Sequence, residues 1–473
     1  MSTFLGLDVG TTTITAMILD VKEGSVAGIH TVANSSDVTR PSDRALGRSE
    51  WDATRIVELA GEAVSGAVSR FGSVDGIGVT GQMHGMLLVD GGNNPVGPFV
   101  GWQDRRGMEM IHGRDVSYVD HLVRVTREHK IQGCRPHSGY LGTTLYWMAV
   151  QELLPRHPVT ATFLPDFVVA RLTGTSPVTD ATNAAGSGLF DQGDWALDLV
   201  QSLELSSDIL PEIVPSGSHA GGLTREVADA VGLREGLPIC VACGDNQASF
   251  AGSVSDYESS VLINVGTGGQ ISAYTEKATS MGELEARPFM DGGFLLVGPG
   301  LVGGRTYALL RDFFRFVGES FFVENGDGDL YSEMNRLASR VPPGSDGLIC
   351  QPLFTGTRSD PTRRGEFTGV SATNFTPGHL VRAVMEGMSE QFHLLYVDMS
   401  KQAVLGRERL IGAGNGIRKN EVLRQILSSR FEMPMYVPKH TEEAAYGACL
   451  MAAVNGEMYE DVKQAGRAIR FSE

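Results

Sequence analysis

The chain has 473 residues, enough for two or three domains of ordinary size. With 42% hydrophobic and 20% charged residues it reads as a soluble globular protein, and its net charge of −17 argues against nucleic acid or an anionic membrane as a partner. No apolar run approaches the ~18 residues that span a bilayer, no secretory leader is evident, and an odd number of cysteines points to a reducing compartment. We therefore expect a cytoplasmic protein.

The start of the chain predicts a β-hairpin with an unusual turn. Apolar residues over 4–9 and 14–19 flank Gly10 and three threonines at 11–13. Backbone N–H groups and hydroxyls crowded in this way form an anion-binding concavity. Asp8, just before the turn, would repel a bare phosphate. If Mg²⁺ lies between them, the carboxylate instead favours phosphate binding, because hard cations prefer oxygen ligands. The turn is thus predicted to hold a metal and a phosphate.

A second stretch, residues 261–273, repeats this order of residues. Apolar residues, Asn264, a Val-Gly-Thr triplet ending at Thr267 and a further apolar run follow the order seen around Asp8. The repeat predicts two related domains that each offer one turn to a shared nucleotide. The alternative is two ordinary hairpins, since Gly-Thr turns are common.

Between the two turns, the pattern alternates helices and short strands. Helical spacing predicts a helix over 54–71, followed by strands at 76–80 and 86–89. The connection between those strands contains His84 between Met83 and Gly85. A histidine at this place is expected to face a cleft, and the alternative is a structural histidine.

The segment from Gly101 to Arg106 combines an aromatic residue with polar and charged ones. Such a set suits a polyol, whose C–H face packs on Trp102 while hydroxyls pair with the polar groups. The alternative is a surface ion-pair cluster. Helices are predicted at 139–154 and 163–174, and the small polar residues of 179–186 predict a loop near a ligand.

A buried strand is predicted at 237–243, followed by Asp245 and a helix. Open α/β sheets place functional groups at the carboxyl ends of their strands, so Asp245 is a candidate catalytic residue. The alternative is that it caps the helix. Cys240 and Cys243 form a C-x-x-C pair, which we interpret as buried strand residues and not as a redox or metal site.

The second half repeats the layout. Gly303 and Gly304 would let the backbone approach a ligand. Helices are predicted at 307–317, 379–395 and 442–453 and from Asn420, with strands at 348–354 and 409–411. The glycine-rich turn at 412–416 suits contact with a nucleotide.

The two turns resemble those of the sugar-kinase, actin and chaperone ATPase superfamily, and later motifs resemble the FGGY family of carbohydrate kinases over essentially the whole chain. The motifs that carry this resemblance occur in the family's order. They are Gln82-Met83-His84-Gly85, Trp102-x-Asp104-x-Arg106, Gly244-Asp245, Gly266-Thr267, Arg364-Gly365, Glu386-Gly387 and the loop from Gly412 to Asn420. Segment 82–85 resembles both the xylulokinase and the sedoheptulokinase branches more than glycerol kinases. Segments 102–104, 166–170, 183–185 and 244–249 look most like the sedoheptulokinase branch.

The resemblance implies an α/β fold of two duplicated actin-like (ribonuclease H-like) ATPase domains around a central cleft. It implies an N-terminal FGGY domain at 1–252, with sugar binding and the first phosphate loop, and a nucleotide-binding C-terminal FGGY domain at 253–473. The implied reaction uses ATP and Mg²⁺ to phosphorylate a ketose primary hydroxyl, first of all sedoheptulose to its 7-phosphate. D-Xylulose and D-ribulose are alternatives, and a homodimer stays open.

The same resemblance assigns roles residue by residue. Asp245 is the catalytic base and Asp8 holds Mg²⁺ through water. The sugar is assigned to Met83, His84, Trp102, Asp104, Arg106, Asn183 and Asn246. The nucleotide is assigned to Thr11, Thr12, Thr13, Gly266, Thr267, Gly303, Gly414, Asn415, Gly416 and Asn420.

The chain departs from the family pattern at one position. The family usually has Lys or Arg two residues after the third hydroxyl residue of the first turn, and this chain has Thr15. Two functions of a different class stay open beside the kinase, and Thr15 bears only on the second. One is an actin- or chaperone-like ATPase switch without a sugar substrate, and the other is a sugar-binding regulator that has lost catalysis.

Overall fold

The computed structural model describes residues 2–131, 134–277, 284–322, 328–354, 356, 360, 362–402 and 406–472. The chain forms two compact units. The first comprises residues 1–255, 286–294 and 442–470, and the second comprises 256–285, 295–441 and 471–473. Across the described ranges, no helix is long and apolar enough to cross a membrane.

Short strands and helices alternate along much of the chain. The strands are β1 (Thr3–Val9), β2 (Thr13–Asp20), β3 (Ser25–Ala33), β4 (Glu50–Trp51), β5 (Gly76–Gly81), β6 (Leu87–Val89), β7 (Phe99–Val100), β8 (Thr160–Thr162), β9 (Val178–Thr179), β10 (Phe190–Asp191), β11 (Asp194–Trp195), β12 (Glu212–Ile213), β13 (His219–Gly222), β14 (Pro238–Cys240), β15 (Cys243–Gly244), β16 (Ser260–Val265), β17 (Gly269–Thr275), β18 (Glu285–Pro288), β19 (Phe294–Leu301), β20 (Ile349–Gln351), β21 (Glu366–Thr368), β22 (Arg409–Ala413) and β23 (Met435–Tyr436). The helices are α1 (Pro41–Ala45), α2 (Ala53–Phe71), α3 (Tyr118–Glu128), α4 (Leu141–Val150), α5 (Leu164–Thr173), α6 (Ala181–Ala184), α7 (Leu197–Ser202), α8 (Arg225–Val231), α9 (Asp245–Ala251), α10 (Gly304–Phe321), α11 (Leu330–Ala338), α12 (Pro377–Gln402), α13 (Asn415–Arg418), α14 (Glu421–Phe431), α15 (Glu443–Asn455) and α16 (Val462–Gly466).

The predicted duplication is confirmed by the strand order of the two main sheets. In the first unit the order is β14-β5-β1-β2-β3, with β1 antiparallel to β2 and parallel to β5. In the second unit the order is β23-β22-β16-β17-β19, with β16 antiparallel to β17 and parallel to β22. Each predicted hairpin thus lies at the same place in its own sheet.

The alternation of side chains along β1 gives the first sheet two different faces. Leu5, Leu7 and Val9 pack into the main core with apolar residues of α2, such as Ile56 and Leu59. The residues between them, including Gly6 and Asp8, point to the opposite face. The strand therefore buries one face in the core and presents its carboxylate on the other.

Helix α15 covers that opposite face at backbone distance. A Cβ on Gly6 would lie 1.9 Å from the Ala445 carbonyl oxygen, and one on Gly78 would lie 2.0 Å from the Ala448 oxygen. Only glycine fits at these two strand positions. The packing makes α15 part of the first compact unit, although the family-based boundary would group all of 253–473 together.

Most predicted elements are found close to their expected bounds, and two differ. The predicted loop at 179–186 contains α6, because the Asp180 side chain accepts the Asn183 N–H and caps a short helix. The predicted strand at 237–243 is broken into β14 and β15, because the Val241 N–H donates to the Ser218 carbonyl. Burial raises the pKa of the Cys240 thiol to about 12, consistent with a structural cysteine.

Candidate active site

Three parallel strands of the first unit end at the same edge of the sheet. In the register of the sheet, Asp8 of β1 lies beside Thr80 of β5, which lies beside Cys243 of β15. The segments that follow these strands are the threonine turn at 10–13, the Gln82–Gly85 segment and Asp245. Parallel topology therefore brings together three segments that are far apart in the sequence.

Asp8 is a half-buried carboxylate without a cation on the neighbouring strand. Its cross-strand partner is Thr15, which is buried and hydrogen-bonds Thr31 across a 3.1 Å gap. Burial of Asp8, followed by the negative charges of Asp245 and Glu442, raises its pKa to about 7. A carboxyl group in this setting favours a bound cation.

The threonine turn is held in shape by residues outside it. The Gly10 N–H donates to the Thr13 carbonyl at 3.0 Å and closes the turn. Asn34 accounts for two further contacts, because its side-chain amide donates to the Gly10 carbonyl at 2.9 Å and its backbone N–H to the Thr12 carbonyl at 2.8 Å. With these carbonyls engaged, the exposed hydroxyls of Thr12 and Thr13 remain at the surface of the turn.

Trp102 and Gln82 join this turn through one hydroxyl. The indole N–H of Trp102 donates to the Thr11 hydroxyl, which donates to the Gln82 side-chain oxygen, both at 3.3 Å. The Trp102 ring is 46% exposed, so one of its faces is open to a ligand. The Gln82 amide nitrogen is buried and has no hydrogen-bond partner among the described residues.

Asp245 is the first residue of α9, directly after β15. The cap of this helix is Gly244, so the alternative that Asp245 serves as the N-cap is wrong. Burial raises the pKa of Asp245 to about 6, against the lowering effects of the Asn246 backbone N–H and the Arg287 guanidinium. The carboxylate is thus more basic than an ordinary aspartate and still ionised at neutral pH.

A buried network supports the backbone just before Asp245. The Gly244 N–H donates to the Thr182 hydroxyl at 2.8 Å, and that hydroxyl donates to Asp180 at 2.8 Å. Asp180 also accepts from Ser216 at 2.5 Å. Burial raises the pKa of Asp180 to about 6, against these hydrogen bonds. The network fixes the turn that carries Asp245.

Met83 contacts this turn, and the neighbouring His84 contacts Gly186 and Tyr140. Met83 is buried against Gly244, where a Cβ would meet the sulfur at 2.7 Å. His84 adopts a φ of 79° and stacks on Tyr140 with ring centroids 4.0 Å apart. Its Nδ1 bonds the Gly186 carbonyl at 3.0 Å. That carbonyl can only accept, so the Nδ1 of His84 carries a proton in this contact.

Asp104 and Arg106, which were both expected to contact a sugar, form a buried ion pair. Asp104 is 1% exposed and accepts from the Arg106 Nε and the Ser49 backbone N–H, both at 2.8 Å. Arg106 also pairs with Glu50 at 2.7 Å and lies over the Trp147 ring. The alternative of a surface ion-pair cluster is right that these residues pair with each other. It is wrong about their location, because both side chains are buried. The pair fixes the segment that carries Trp102.

The two asparagines assigned to the sugar differ in accessibility. Asn183 is fully buried in α6, and its side-chain nitrogen lies 3.5 Å from Asp166, while its oxygen has no partner among the described residues. Asn246 is half-buried and accepts from Arg287 at 3.1 Å. Burial makes direct sugar contact by Asn183 harder than the sequence suggests, whereas Asn246 stays a candidate.

In the second unit, the turn at 266–268 packs against the start of α10. The Gly304 N–H donates to the Gly266 carbonyl and the Arg305 N–H to the Thr267 carbonyl, both at 2.9 Å. A Cβ on Gly303 would lie 2.2 Å from the Gly268 carbonyl carbon. Gly303 is therefore required by this packing, whereas Gly266 and Thr267 are exposed on the turn.

The glycine-rich turn before α13 lies against the same hairpin. A Cβ on Gly414 would lie 2.6 Å from the Asn264 side-chain oxygen, and one on Gly416 would lie 2.5 Å from Val265. Asn415 is exposed. Asn420 is 5% exposed and caps α14 by accepting the Leu423 N–H at 2.9 Å, so its side-chain oxygen already has a helix partner, and its contact with a nucleotide stays a prediction.

The carboxylates of the first unit suit a cation that is bound mainly through water and phosphate. Among the described residues, no group of three or more His, Cys, Asp or Glu could hold a metal alone. Burial, followed by the negative charges of Asp245 and Glu442, raises the pKa of Asp8, and both effects favour a divalent ion near it. Mg²⁺ characteristically keeps several waters and takes one or two carboxylates together with substrate phosphates.

Three residues near Asp245 and the threonine turn were missed by the sequence analysis. They are Arg287, Thr182 and Asn34. Arg287 lies in β18, far from Asp245 in sequence and without a motif around it. Thr182 lies in a segment that was predicted to be a polar loop, whereas it forms a short helix. Asn34 directly follows β3, and no sequence motif around it indicated a role in the threonine turn.

Two sheets of one strand order, each with a glycine–threonine turn, define the actin-like ATPase fold. The N-terminal domain model of the FGGY family of carbohydrate kinases matches residues 3–252, and its C-terminal domain model matches 265–456. The chain therefore belongs to the FGGY family and is a carbohydrate kinase. The alternative of an ATPase switch without a sugar substrate is wrong.

Kinases named for two different sugars are about equally similar to the chain. Sedoheptulokinase of Mus musculus is 26% identical over 481 residues, covering 94% of this chain and 96% of the relative. Xylulose kinase of Lactococcus lactis subsp. lactis (strain IL1403) is 25% identical over 477 residues, covering 99% and 91%. The structure of xylulose kinase from Rhodospirillum rubrum superposes with a TM-score of 0.84 at 24% identity, over 100% of this chain and 93% of that one.

Proposed function

We propose that this kinase transfers the γ-phosphoryl group of ATP to the primary hydroxyl of a ketose, with sedoheptulose as the substrate. The alternative substrates are D-xylulose and D-ribulose, phosphorylated at the 5-position by the same chemistry. The motifs at residues 102–104 and 244–249 favour sedoheptulose, and full-length similarity to sedoheptulokinases supports this choice. Similarity to xylulose kinases supports the alternative.

The observation that carries the chemistry is the environment of Asp245. A carboxylate with a pKa of about 6 at the end of a buried strand can orient a sugar hydroxyl and accept its proton. Arg287 keeps that pKa from rising further, so the base form dominates at neutral pH. The Asp180–Thr182–Gly244 network holds the backbone that presents this carboxylate.

The phosphate end of the reaction is assigned to the two turns. Asp8 would hold Mg²⁺, which neutralises charge on the phosphates when bound. Thr11, Thr12 and Thr13 on one turn, and Gly266 and Thr267 on the other, would offer hydroxyls and backbone N–H groups to phosphate oxygens. Phosphoryl transfer depends mostly on such positioning and charge neutralisation.

The sugar is assigned to a smaller set of residues than the motifs suggested. His84 is assigned to a sugar hydroxyl, and the open face of Trp102 can pack on C–H groups. Asn246 and the Gln82 amide nitrogen, which has no hydrogen-bond partner in the described part of the chain, are further polar groups for sugar oxygens. Asp104 and Arg106 act by fixing the Trp102 segment, and Met83 by filling the space against Gly244.

The decisive experiment compares ADP release with sedoheptulose, D-xylulose and D-ribulose for the wild type and for Asp245→Asn. Asp229→Asn, an exposed aspartate of α8, is the matched control. We expect Asp245→Asn to retain ATP binding and lose about 10²–10⁴ in turnover, while Asp229→Asn is unchanged.

Each outcome separates a different reading. A higher kcat/KM for D-xylulose or D-ribulose than for sedoheptulose would replace the proposed substrate. Near-normal turnover of Asp245→Asn would refute the base. Stoichiometric ketose binding by the wild type without any ADP release would favour the catalytically inactive regulator.

A further inference from the structure

A cavity of about 520 Å³ lies in the first unit beside the threonine turn. Thr11 and Thr12 form part of its lining, and the charged residues that line it are Asp37 and three arginines: Arg44, Arg48 and Arg105. Three guanidinium groups against one carboxylate are unusual in a chain with a net charge of −17. We call this site the arginine cavity.

The protein neutralises two of these guanidinium groups to different extents. Arg44 pairs with Asp37 at 2.9 Å. Arg48 pairs with Glu109 and lies over Trp147, 5.2 Å from the ring centroid, which fixes its position. The Arg48 Nη1 is nevertheless buried without a hydrogen-bond partner among the described residues. Since a buried donor without an acceptor is costly, a ligand oxygen at this nitrogen is favourable.

Arg105 is held by its backbone and its aliphatic stem. Its N–H donates to the Gly47 carbonyl at 2.9 Å. Gly47 has a φ of +81°, and a Cβ there would lie 2.9 Å from the Arg105 Cβ and Cδ, so glycine lets the arginine stem cross this loop. The guanidinium of Arg105 is exposed and pairs with no carboxylate in the described part of the chain. It is an uncompensated charge in a defined place.

The turn supplies neutral donors to the same cavity. Thr12 is exposed, and Asn34 fixes its backbone through the 2.8 Å bond to its carbonyl. The Thr11 hydroxyl is already engaged between Trp102 and Gln82. The Thr12 hydroxyl is therefore the turn's best donor to a ligand in this cavity.

We propose that the arginine cavity binds a tetrahedral oxyanion of the phosphate class, held by Arg48, Arg105 and the Thr12 hydroxyl. Guanidinium groups match phosphate oxygens in a bidentate fork, which a single ammonium group cannot do. Three sources carry this chemistry: free phosphate, a phosphorylated sugar and the terminal phosphate of the nucleotide. The inference is independent of which ketose is the substrate.

Titration calorimetry of the full-length protein with inorganic phosphate tests the site directly. The variants are Arg105→Gln, the double variant Arg48→Gln/Arg105→Gln and the control Arg225→Gln, an exposed arginine paired with Glu235 in the same unit. We expect saturable binding by wild type and control, and a loss of about tenfold or more in the double variant. Arg105→Gln breaks no ion pair among the described residues, so its weaker binding would not reflect misfolding, and circular dichroism checks the double variant.

Further titrations identify the source of the oxyanion. A loss for sedoheptulose 7-phosphate but not for sedoheptulose assigns the cavity to the sugar phosphate, and a loss for ATP but not for ADP assigns it to the nucleotide. A loss for inorganic phosphate alone assigns it to the free ion. Absence of saturable phosphate binding by the wild type, or equal binding by wild type and double variant, would overturn the proposal. These readouts need no turnover and so do not depend on Asp245.

Discussion

Gly447, in the middle of α15, should be intolerant of even one added methyl group. A Cβ at this position would lie 2.0 Å from the Ala248 carbonyl oxygen of α9, whereas real Cβ contacts do not fall below 3.0 Å. Directly after α9, a Cβ on Gly252 would lie 2.0 Å from the Glu443 carbonyl oxygen of α15. The Gly447→Ala substitution must therefore push α9 and α15 apart by about 1 Å, the difference between the two distances.

This displacement should affect both stability and catalysis. Overpacking costs about 1–3 kcal/mol, from which alanine's better helix propensity recovers at most about 1 kcal/mol. Because α9 begins at Asp245, the shift also moves the proposed base, and a misplacement of about 1 Å can cost about 10²-fold in rate. We expect a lower free energy of unfolding and a fall in kcat larger than the change in ATP affinity.

Gly61→Ala is the matched control for this substitution. Gly61 also lies inside a helix, α2, but a Cβ there would make only an ordinary contact, 3.9 Å from Val231. We expect it to stabilise the protein by about 0.5–1 kcal/mol and to leave turnover unchanged. Urea unfolding and steady-state kinetics measure both effects. If Gly447→Ala behaves like Gly61→Ala in both assays, the reasoning is refuted.

Three further predictions concern single side chains of the first unit. Burial raises the pKa of Asp166 well above 3.8, so the contribution of this carboxyl group to stability is present at low pH and is lost as the pH rises through its folded-state pKa. Asp166→Asn should therefore flatten the fall in unfolding free energy between acidic and neutral pH. Urea unfolding at several pH values measures this, and an unchanged pH dependence would contradict it. Thr15→Lys would place an ammonium group opposite Asp8 and should lower the pKa of Asp8 from about 7. NMR titration of the carboxyl group measures this pKa, and an unchanged value would contradict the prediction. Asn34→Ala removes the amide that holds the Gly10 carbonyl and should weaken ATP binding several-fold in calorimetry, whereas equal affinity would show that the turn holds its own shape.

The parts of the fold that the sequence predicted well are those determined by local pattern. The hairpin at Asp8 and its repeat at Asn264 depend on apolar runs around a short glycine-containing turn, and both are found where the pattern placed them. Asp245 was placed at a strand end by the same kind of signal. The sequence could not decide whether Asp245 caps the helix or is a functional carboxylate. That choice depends on where the helix begins, and the structure places the cap at Gly244.

The parts that were missed depend on contacts between distant segments. The ion-pair alternative for 101–106 did not show that Asp104 is buried, because its enclosure also depends on the Ser49 backbone N–H, 55 residues away in the chain. Likewise, Arg287 is 42 residues beyond Asp245, and only the folded chain shows that its charge acts on that carboxylate. Sequence motifs thus identified the segments of the candidate site but not which side chains face a ligand and which support it.

The glycines of the first unit connect the two carboxylates of the candidate site through one helix. Gly6 lets α15 approach the strand that carries Asp8, and Gly447 lets the same helix approach α9, which begins at Asp245. Because both contacts are between backbones, they do not depend on side-chain rotamers. The positions of Asp8 and Asp245 are therefore fixed by main-chain packing, whereas Trp102 and His84 are held by side-chain contacts. Substitutions that change sugar preference should accordingly be tolerated around Trp102 and His84 more readily than any enlargement along α15.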